Sequence, residues 1–348
     1  MNRINKHLIS SNLSVREVLT RLEKLAADAI LFLVDKEHKL LGALTDGDIR
    51  RGLINGLGLD DPITNYVQGD PKSFKKGKFS FAEMLEWRGQ NYKIIPVVNE
   101  LENIVDIINF RTQRSYLPID AVIMAGGKGN RLRPLTLDTP KPLLKIDDKP
   151  IIEYNVERIH AFGIRQLTIS IKYLGEQLVS YFGDNYKDTL NVKYVTEDEP
   201  LGTIGAVAQI DHFENDYILV MNSDILTNID FEELFEALIE KGGDMIVATT
   251  PYEVQIPYGV IETEDEKIKA LVEKPTYTYY SNAGIYLFKK AYVDLIPRDT
   301  KFNATDLMDS LIQNGKKVLH FPIHGYWLDI GKPHDYEKAQ RDIQHIKF

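Results

Sequence analysis

The chain has 348 residues, of which 43% are hydrophobic, so it can bury more than one core and two domains are expected. Its net charge of −9 disfavours a nucleic-acid-binding surface, and the absence of cysteine excludes disulfides, thiolate metal sites and cysteine nucleophiles. The apolar runs are shorter than the roughly 20 residues of a membrane span and no secretory signal is evident, so a soluble, cytoplasmic protein is expected.

Two weak repeats make up the first third of the chain. In the first, apolar residues at helical spacing over residues 14–25 precede a predicted strand at 29–34, a polar turn and a second strand at 40–44. The second copy repeats this order between residues 81 and 108. The pattern resembles a tandem pair of cystathionine-β-synthase-type (CBS) modules, which implies a regulatory α+β domain over residues 1–116.

The first copy contains the segment LTDGDIRR, residues 44–51, which resembles the ribose-binding T-x-x-D motif of CBS modules. The resemblance implies a regulatory nucleotide held by Thr45, Asp48 and Arg50. The second copy has isoleucine and phenylalanine in place of the threonine and aspartate, so one standard site at most is expected. A purely structural or dimer-forming pair is an equal alternative, and a homo-oligomer is expected.

After residue 118 the pattern changes to apolar strands that alternate with amphipathic helices. Pro150 opens a helix that Gly163 ends, and Asp230 with Glu233 predicts the cap of another helix over residues 231–240. The predicted strands are residues 121–125, 167–171, 192–195 and 217–221. Such alternation predicts a mostly parallel sheet with ligands bound at the carboxyl ends of its strands.

The most specific stretch is AVIMAGGKGNRLRPLTLDTPKPL, residues 121–143, in which a buried strand runs into a glycine-rich loop followed by cations. Glycines allow main-chain N–H groups to approach phosphate oxygens, and Arg131, Arg133 and Lys141 can balance the phosphate charge. The stretch is not a P-loop, and Leu132 replaces the last glycine of the dinucleotide-binding G-x-G-x-x-G. An NAD-dependent dehydrogenase is therefore not expected.

This stretch closely resembles the signature of the sugar-phosphate nucleotidyltransferases. The resemblance extends from about residue 119 to 345 and implies a nucleotidyltransferase domain over residues 119–348. It implies an α/β domain with a Rossmann-like, mostly parallel mixed sheet of the GT-A-like kind. It also implies that Arg131 holds a triphosphate, that Lys141 neutralises charge at the reacting phosphorus, and that Asp224 and Asp329 bind Mg²⁺. The nucleotide-binding residues implied by the resemblance are Ala125, Gly126, Gly127, Gly129, Glu199, Leu201, Gly202 and Thr203.

Alternatives remain for single residues of this set. An aspartate at a strand end, such as Asp224, is commonly a turn or cap residue, and Asp329 before Ile-Gly can likewise make a turn. The segment EPLGTIGA, residues 199–206, is most similar to the base-binding segment of guanylyltransferases, yet Thr203 could equally cap a helix.

Three short elements resemble the sugar-phosphate side of the family's pocket: residues 258–259, 273–275 and 282–284. Glu273 can accept sugar hydroxyls, Lys274 can bind the sugar phosphate, and a glycine leaves room for the ring. The sugar-phosphate-binding residues implied by the resemblance are Gly259, Glu273, Lys274, Asn282 and Gly284.

The sequence therefore predicts an enzyme that transfers a nucleoside monophosphate from a nucleoside triphosphate, by preference GTP, to a sugar 1-phosphate and releases pyrophosphate. Hexose or aminohexose phosphates destined for surface glycans are the expected acceptors. The alternative is a regulatory protein that binds nucleotides in both domains and has an inactive transferase domain.

Overall fold

The computed structural model describes residues 2–78 and 80–346. The chain divides into two compact units, one of Met1–Pro118 with Ala161–Gly163 and the other of Ile119–His160 with Ile164–Phe348. Each unit has its own hydrophobic clusters.

The first unit contains four helices and two small sheets among its described residues. Its helices are α1 (Asn2–Asn5), α2 (Val15–Leu25), α3 (Asp46–Ile54) and α4 (Phe81–Gly89). Its strands are β1 (Leu8–Ile9), β2 (Ile30–Val34), β3 (Leu40–Thr45), β4 (Gln68–Gly69), β5 (Phe74–Lys75), β6 (Ile94–Val98) and β7 (Ile104–Asn109). The sheet orders are β1-β2-β3-β4 and β5-β6-β7.

The two copies in this unit repeat each other in detail at a constant offset along the chain. Oδ1 of Asp35 accepts hydrogen bonds from two backbone N–H groups of the β2–β3 turn, and Oδ1 of Asn99 does the same in the β6–β7 turn. The two turns are also hydrogen-bonded to each other. The N–H of Leu40 donates to the carbonyl of Glu102, and the N–H of Ile104 donates to the carbonyl of His38. The predicted internal repeat is therefore confirmed.

The copies differ after their last strand. In the first copy β3 leads directly into α3, whereas β7 ends at Asn109 and no described helix follows it before Pro118. Because Thr45 pairs with Ile30 and Asn109 pairs with Ile94, Asn109 and Thr112 stand at the motif positions of the second copy, and the assignment of Ile107 and Phe110 to them from the sequence is wrong. The second copy thus lacks both the side chains of the T-x-x-D motif and the helix on which the motif would lie.

The second unit carries an eight-stranded sheet with helices packed on it. Its helices are α5 (Ile151–Ala161), α6 (Gly175–Phe182), α7 (Phe231–Glu240), α8 (Ala304–Gln313) and α9 (Pro333–Asp342). Its strands are β8 (Ile119–Met124), β9 (Lys145–Ile146), β10 (Lys149–Pro150), β11 (Gln166–Ile171), β12 (Asn185–Tyr186), β13 (Leu190–Thr196), β14 (Tyr217–Asn222), β15 (Ile225–Thr227), β16 (Met245–Gln255), β17 (Val260–Glu264), β18 (Lys267–Val272), β19 (Thr276–Lys289), β20 (Val318–Pro322) and β21 (Trp327–Asp329).

The large sheet has the order β12-β13-β11-β8-β14-β19-β16-β20. Strands β13, β11, β8 and β14 are mutually parallel, and β19 runs antiparallel to both β14 and β16. The sheet is therefore mostly parallel and mixed, as predicted. Because the parallel strands end at one edge, the loops after β8 and β14 lie side by side there.

The helix predictions are confirmed for this unit. Most apolar residues of α5 and α7 are buried, and the predicted cap of α7 forms, because Oδ1 of Asp230 accepts from the N–H groups of Glu232 and Glu233. Along β16 and β19 only the inner halves are buried, and their outer halves, 251–255 and 276–280, extend with β17 and β18 as an arm that is mostly exposed. Among the described residues, no helix is long and apolar enough to cross a membrane.

Candidate active site

A cavity of about 570 Å³ lies at the carboxyl ends of the parallel strands of the second unit. Its walls come from six segments: the end of β8 with the loop after it, the turn at Lys141, the loop after β13, the end of β14 with the turn after it, the loop before α8 and the turn before α9. Residues lining it are Met124, Gly126, Gly127, Gly129, Asn130, Arg131, Lys141, Pro142, Glu197, Pro200, Gly202, Thr203, Asn222, Ser223, Asp224, Lys301 and Gly331. Eight residues predicted for the active site thus meet in one place.

The glycine-rich loop depends on close packing at two of its glycines. A Cβ at Gly126 would lie 2.7 Å from Oε1 of Glu197, which leaves no room for a side chain. Gly129 has φ 62°, in the left-handed region, and its carbonyl accepts a hydrogen bond from the Thr136 hydroxyl. The loop backbone is therefore held close to the cavity wall.

Lys141 and Asp224 form the electrostatic centre of the cavity. Lys141 is buried, and its Nζ donates to Oδ2 of Asp224 in an ion pair. Behind Asp224, the side-chain amide of Asn155 on α5 donates to the carbonyl of Ile225, which fixes the start of β15. A lysine and an aspartate from distant parts of the chain are thus held together in the cavity.

Asp329 lies beside this pair although it does not line the cavity. Strand β21 pairs antiparallel with β15, with Asp329 opposite Ile225, and the N–H of Ile330 donates to the carbonyl of Asp224. Partial desolvation and the charge of Asp224 raise the pKa of Asp329 above its ordinary value, against the opposing charges of Lys141 and Arg131. The two aspartates predicted to bind metal are therefore neighbours.

The loop predicted to contact the base is held from behind by the segment before α8. The carbonyl of Phe302 accepts from the N–H groups of both Ile204 and Gly205. A Cβ at Gly202, where φ is 82°, would lie 2.6 Å from that same carbonyl. The hydroxyl of Thr203 accepts from the N–H of Ala304, the first residue of α8, whose N-cap is Asn303, so Thr203 binds the start of α8 and does not cap a helix of its own segment.

Three of the predicted nucleotide-binding residues do not line the cavity. Ala125 and Leu201 are buried, and Glu199 is exposed outside the cavity lining. Both backbone polar groups of Leu201 are already used, the N–H by Glu197 and the carbonyl by Phe302. Ala125 and Leu201 support the walls through packing and backbone hydrogen bonds.

The predicted sugar-phosphate elements fall into two groups. Gly284 lies against the cavity wall, where a Cβ would be 2.6 Å from Nδ2 of Asn222, and Oδ1 of Asn282 accepts from its N–H. Gly259 and Glu273 lie next to each other on the exposed arm, since a Cβ at Gly259 would be 3.1 Å from Oε2 of Glu273. Lys274 follows there with φ 46°, and none of these five residues lines the cavity itself.

In the first unit, Asp48 is buried, and its carboxylate is bound by residues of α3 and its N-cap. Oδ2 accepts from the N–H and the hydroxyl of Thr45 at 2.7 and 2.6 Å, and Oδ1 pairs with Arg51. Burial alone would raise the pKa of Asp48, but the hydrogen bonds from Thr45 and Arg51 outweigh it and hold the pKa below its ordinary value. Arg50 is exposed and pairs with Asp46.

The cavity also contains residues that the sequence did not single out. Glu197 and Lys301 reach it from the end of β13 and from the loop before α8. Neither has a local motif that marks it, because each reaches the cavity through a contact between segments far apart in the chain.

The profile of the nucleotidyl transferase family matches residues 120–346. The chain belongs to the nucleotidyl transferase family. The predicted resemblance of the second unit is thereby confirmed, and the chain is an enzyme of the nucleotidyltransferase class, as its sequence indicates. The family match lies entirely after residue 119, so it carries no information on the first unit.

Two relatives of this nucleotidyl transferase are named as sugar-1-phosphate guanylyltransferases. It is 33% identical over 230 residues to D-glycero-alpha-D-manno-heptose 1-phosphate guanylyltransferase of Aneurinibacillus thermoaerophilus, covering 65% of this chain and 99% of that protein. It is 32% identical over 231 residues to mannose-1-phosphate guanylyltransferase of Mycobacterium tuberculosis, covering 65% of this chain and 64% of that protein. The chain thus spans less than two thirds of the mycobacterial enzyme.

A solved structure supports the fold of the second unit. A putative glucose-1-phosphate thymidylyltransferase from Bacillus anthracis superposes with a TM-score of 0.55 at 24% identity, covering 66% of this chain and 97% of that one. At this identity the likeness concerns the fold alone.

Proposed function

We propose that the chain transfers a nucleoside monophosphate from a nucleoside triphosphate, preferably GTP, to a hexose or aminohexose 1-phosphate. The observation that carries this proposal is the convergence of Gly126, Gly129, Arg131, Lys141 and Asp224 on one cavity. A binding protein that had lost catalysis would have no need to keep the buried Lys141–Asp224 pair. Release of pyrophosphate from mixtures of triphosphate and sugar 1-phosphate tests the activity directly.

In the proposed reaction an oxygen of the sugar 1-phosphate attacks the α-phosphorus of the triphosphate. The new P–O bond forms as the bond to the bridging oxygen breaks, and pyrophosphate leaves with that oxygen. The glycine-rich loop offers N–H groups to the phosphates, while Arg131 and Lys141 offset the negative charge that gathers at the phosphorus. Such a displacement needs positioning and charge neutralisation rather than a protein nucleophile.

The donor set fits Mg²⁺. No group of three or more carboxylate or imidazole side chains comes together among the described residues, but Asp224 lines the cavity and Asp329 lies next to it on the paired strand. Magnesium commonly takes one or two carboxylates and completes its shell with substrate phosphates and water. When bound there, it would neutralise phosphate charge. Asp224 and Asp329 would hold it, and Lys141 would share Asp224 with it.

The preference for guanine is supported by the segment EPLGT, residues 199–203, and by the two guanylyltransferase relatives. Identity of about one third does not fix the base, so the assay must offer GTP, UTP, dTTP and ATP with each sugar 1-phosphate. We expect the highest initial rate with GTP. A clear preference for UTP or dTTP would contradict the assignment of the base and leave the reaction class intact.

Lys274→Ala is expected to raise KM for the sugar 1-phosphate by about tenfold and to leave KM for the triphosphate within about twofold. The reason is its position after Glu273, on the arm that carries two of the three predicted sugar-phosphate elements. Lys267→Ala removes an exposed cation from the same arm and is the matched control. Equal changes in both KM values for Lys274→Ala would place this lysine outside the sugar-phosphate site.

We also propose that the first unit is a CBS pair that binds a purine nucleotide at Thr45, Asp48 and Arg50 and thereby alters substrate affinity. The duplicated turns and the single complete strand–helix motif support this proposal. Because Asp48 already binds Thr45 and Arg51, the ribose would have to share its carboxylate with them. Coupling between such sites is commonly about 1–3 kcal/mol, which is roughly 5- to 150-fold in affinity.

The expected result is that adenine or guanine nucleotides change the KM of the full chain and that Asp48→Asn abolishes this response. Asp48→Asn keeps the shape of the side chain, and the exposed Asp60→Asn serves as the control. A nucleotide response that persists in Asp48→Asn would contradict the site. If no nucleotide acts on the wild-type chain, the first unit is better explained as an assembly module, and sedimentation of the homo-oligomer becomes the relevant measurement.

A further inference from the structure

Glu197 is a buried carboxylate at the cavity that the proposed reaction leaves without a role. It follows β13 directly, and only 6% of its surface is exposed. Oε1 accepts from the hydroxyl of Ser170 at the end of β11, and Oε2 accepts from the N–H of Leu201 at 2.9 Å. The carboxylate is thus fixed by one strand end and by the loop after β13.

The same carboxylate is in contact with the glycine-rich loop. Oε1 would lie 2.7 Å from a Cβ at Gly126, so a larger residue there would displace the carboxylate. Ser170 contacts the two loops as well, because its carbonyl accepts from the N–H of Ala125 while its hydroxyl binds Glu197. One side chain therefore links the loop proposed to hold the phosphates to the loop proposed to hold the base.

We propose that Glu197 is a positioning residue that sets the separation between these two loops, so that one nucleotide can occupy both at once. This inference rests on the proposed function, since it assumes that the triphosphate lies on the glycine-rich loop and the base on residues 199–203. A buried carboxylate is costly unless it is hydrogen-bonded, and Glu197 satisfies this condition with bonds to two separate segments. A misplacement of about 1 Å can cost about 100-fold in rate, so fixing this distance has a large effect.

Substitutions of Glu197 distinguish the effect of its hydrogen bonds from the effect of its charge. A glutamine at position 197 can accept from the N–H of Leu201 through its carbonyl and can donate to the hydroxyl of Ser170 through its amide. Glu197→Gln therefore keeps both links without the charge, whereas Glu197→Ala removes both. Ser170→Ala removes one link and leaves the carboxylate in place. The neighbouring exposed carboxylate of Asp198 offers a matched control, Asp198→Asn.

The experiment measures the Kd of GTP by calorimetry and the KM of both substrates by pyrophosphate release, on the full chain at a temperature well below each variant's Tm. We expect Glu197→Ala to raise the Kd of GTP at least tenfold and to leave the KM of the sugar 1-phosphate within twofold. Glu197→Gln should stay within about threefold of wild type for both substrates. Ser170→Ala should shift only GTP, by less than Glu197→Ala, and Asp198→Asn should match wild type.

Two results would overturn the inference. If Glu197→Gln is as impaired as Glu197→Ala, the charge matters and the role is not positioning. If Glu197→Ala binds GTP like wild type, or weakens both substrates equally, the residue only supports the fold. Should Glu197→Ala not fold, an unchanged GTP Kd in Ser170→Ala decides against the inference and a selective rise decides for it. Failure of the wild-type chain to bind or use any triphosphate would instead contradict the proposed function.

Discussion

Asp224→Asn is expected to lower kcat/KM by about 1,000-fold or more while the chain remains folded. The change keeps the size of the side chain but removes the charge that pairs with Lys141 and that a hard cation requires. Folding should persist because the backbone of Asp224 is held independently, by the N–H of Ile330 and by the pairing of β15 with β21. Pyrophosphate release and the Tm, measured on the same preparation, report the two properties separately.

The matched control is Asp230→Asn, the same chemical change six residues further along. Asp230 caps α7 away from the cavity lining, and asparagine caps helices about as well as aspartate, so activity should be unchanged. Chelation of divalent cations should abolish wild-type turnover, and the Mg²⁺ concentration needed for half-maximal rate should rise in Asp224→Asn. Turnover of Asp224→Asn within a few-fold of wild type would contradict the metal assignment.

Lys141→Met is expected to lower kcat by about 100- to 1,000-fold with a smaller effect on KM for either substrate. Methionine retains most of the length of lysine without its charge. The variant therefore loses the cation proposed to lie at the reacting phosphorus and leaves Asp224 and Asp329 adjacent without their shared counter-charge. Steady-state kinetics with both substrates varied, together with the Tm, is the required measurement.

Lys145→Met is the control for this prediction, because Lys145 is exposed and lies four residues along the same segment. Its kinetics should match those of the wild type. If Lys141→Met changes only the KM for the sugar 1-phosphate, then Lys141 binds the acceptor and not the transferring phosphorus.

The sequence predicts the sheet and its helices well where burial is periodic along the chain. The apolar run in β8, the one-sided apolar pattern of α5 and the capping residues of α7 are each visible within a few consecutive residues. Their burial and boundaries could therefore be predicted from the local sequence. In the middle of the sheet the mixed character comes from β19, whose outer half has the sequence TYTYY and is largely exposed. Local periodicity does not reveal that such a strand inserts antiparallel between β14 and β16.

In the candidate site, too, the sequence predicts only those residues that belong to a local motif. The glycine-rich loop and Asp224 are recognisable because each belongs to a short motif of consecutive residues. Glu197 acquires its place from Ser170 and Gly126, and Lys301 acquires its place from the contact of Phe302 with the loop after β13. Contacts between distant segments leave no local pattern, so these two residues emerge only from the fold.

The arm formed by the outer halves of β16 and β19 has a consequence for how this enzyme can be modified. The inner halves of the two strands belong to the core, whereas the outer halves, with Tyr252 and Tyr279 paired across them and more than half exposed, are anchored through strand pairing alone. Backbone amides of 251–255 should therefore exchange with solvent much faster than those of 245–249. Residues 256–275 can then be exchanged for the corresponding hairpin of another family member without altering the cavity lining, which contains no residue of this segment.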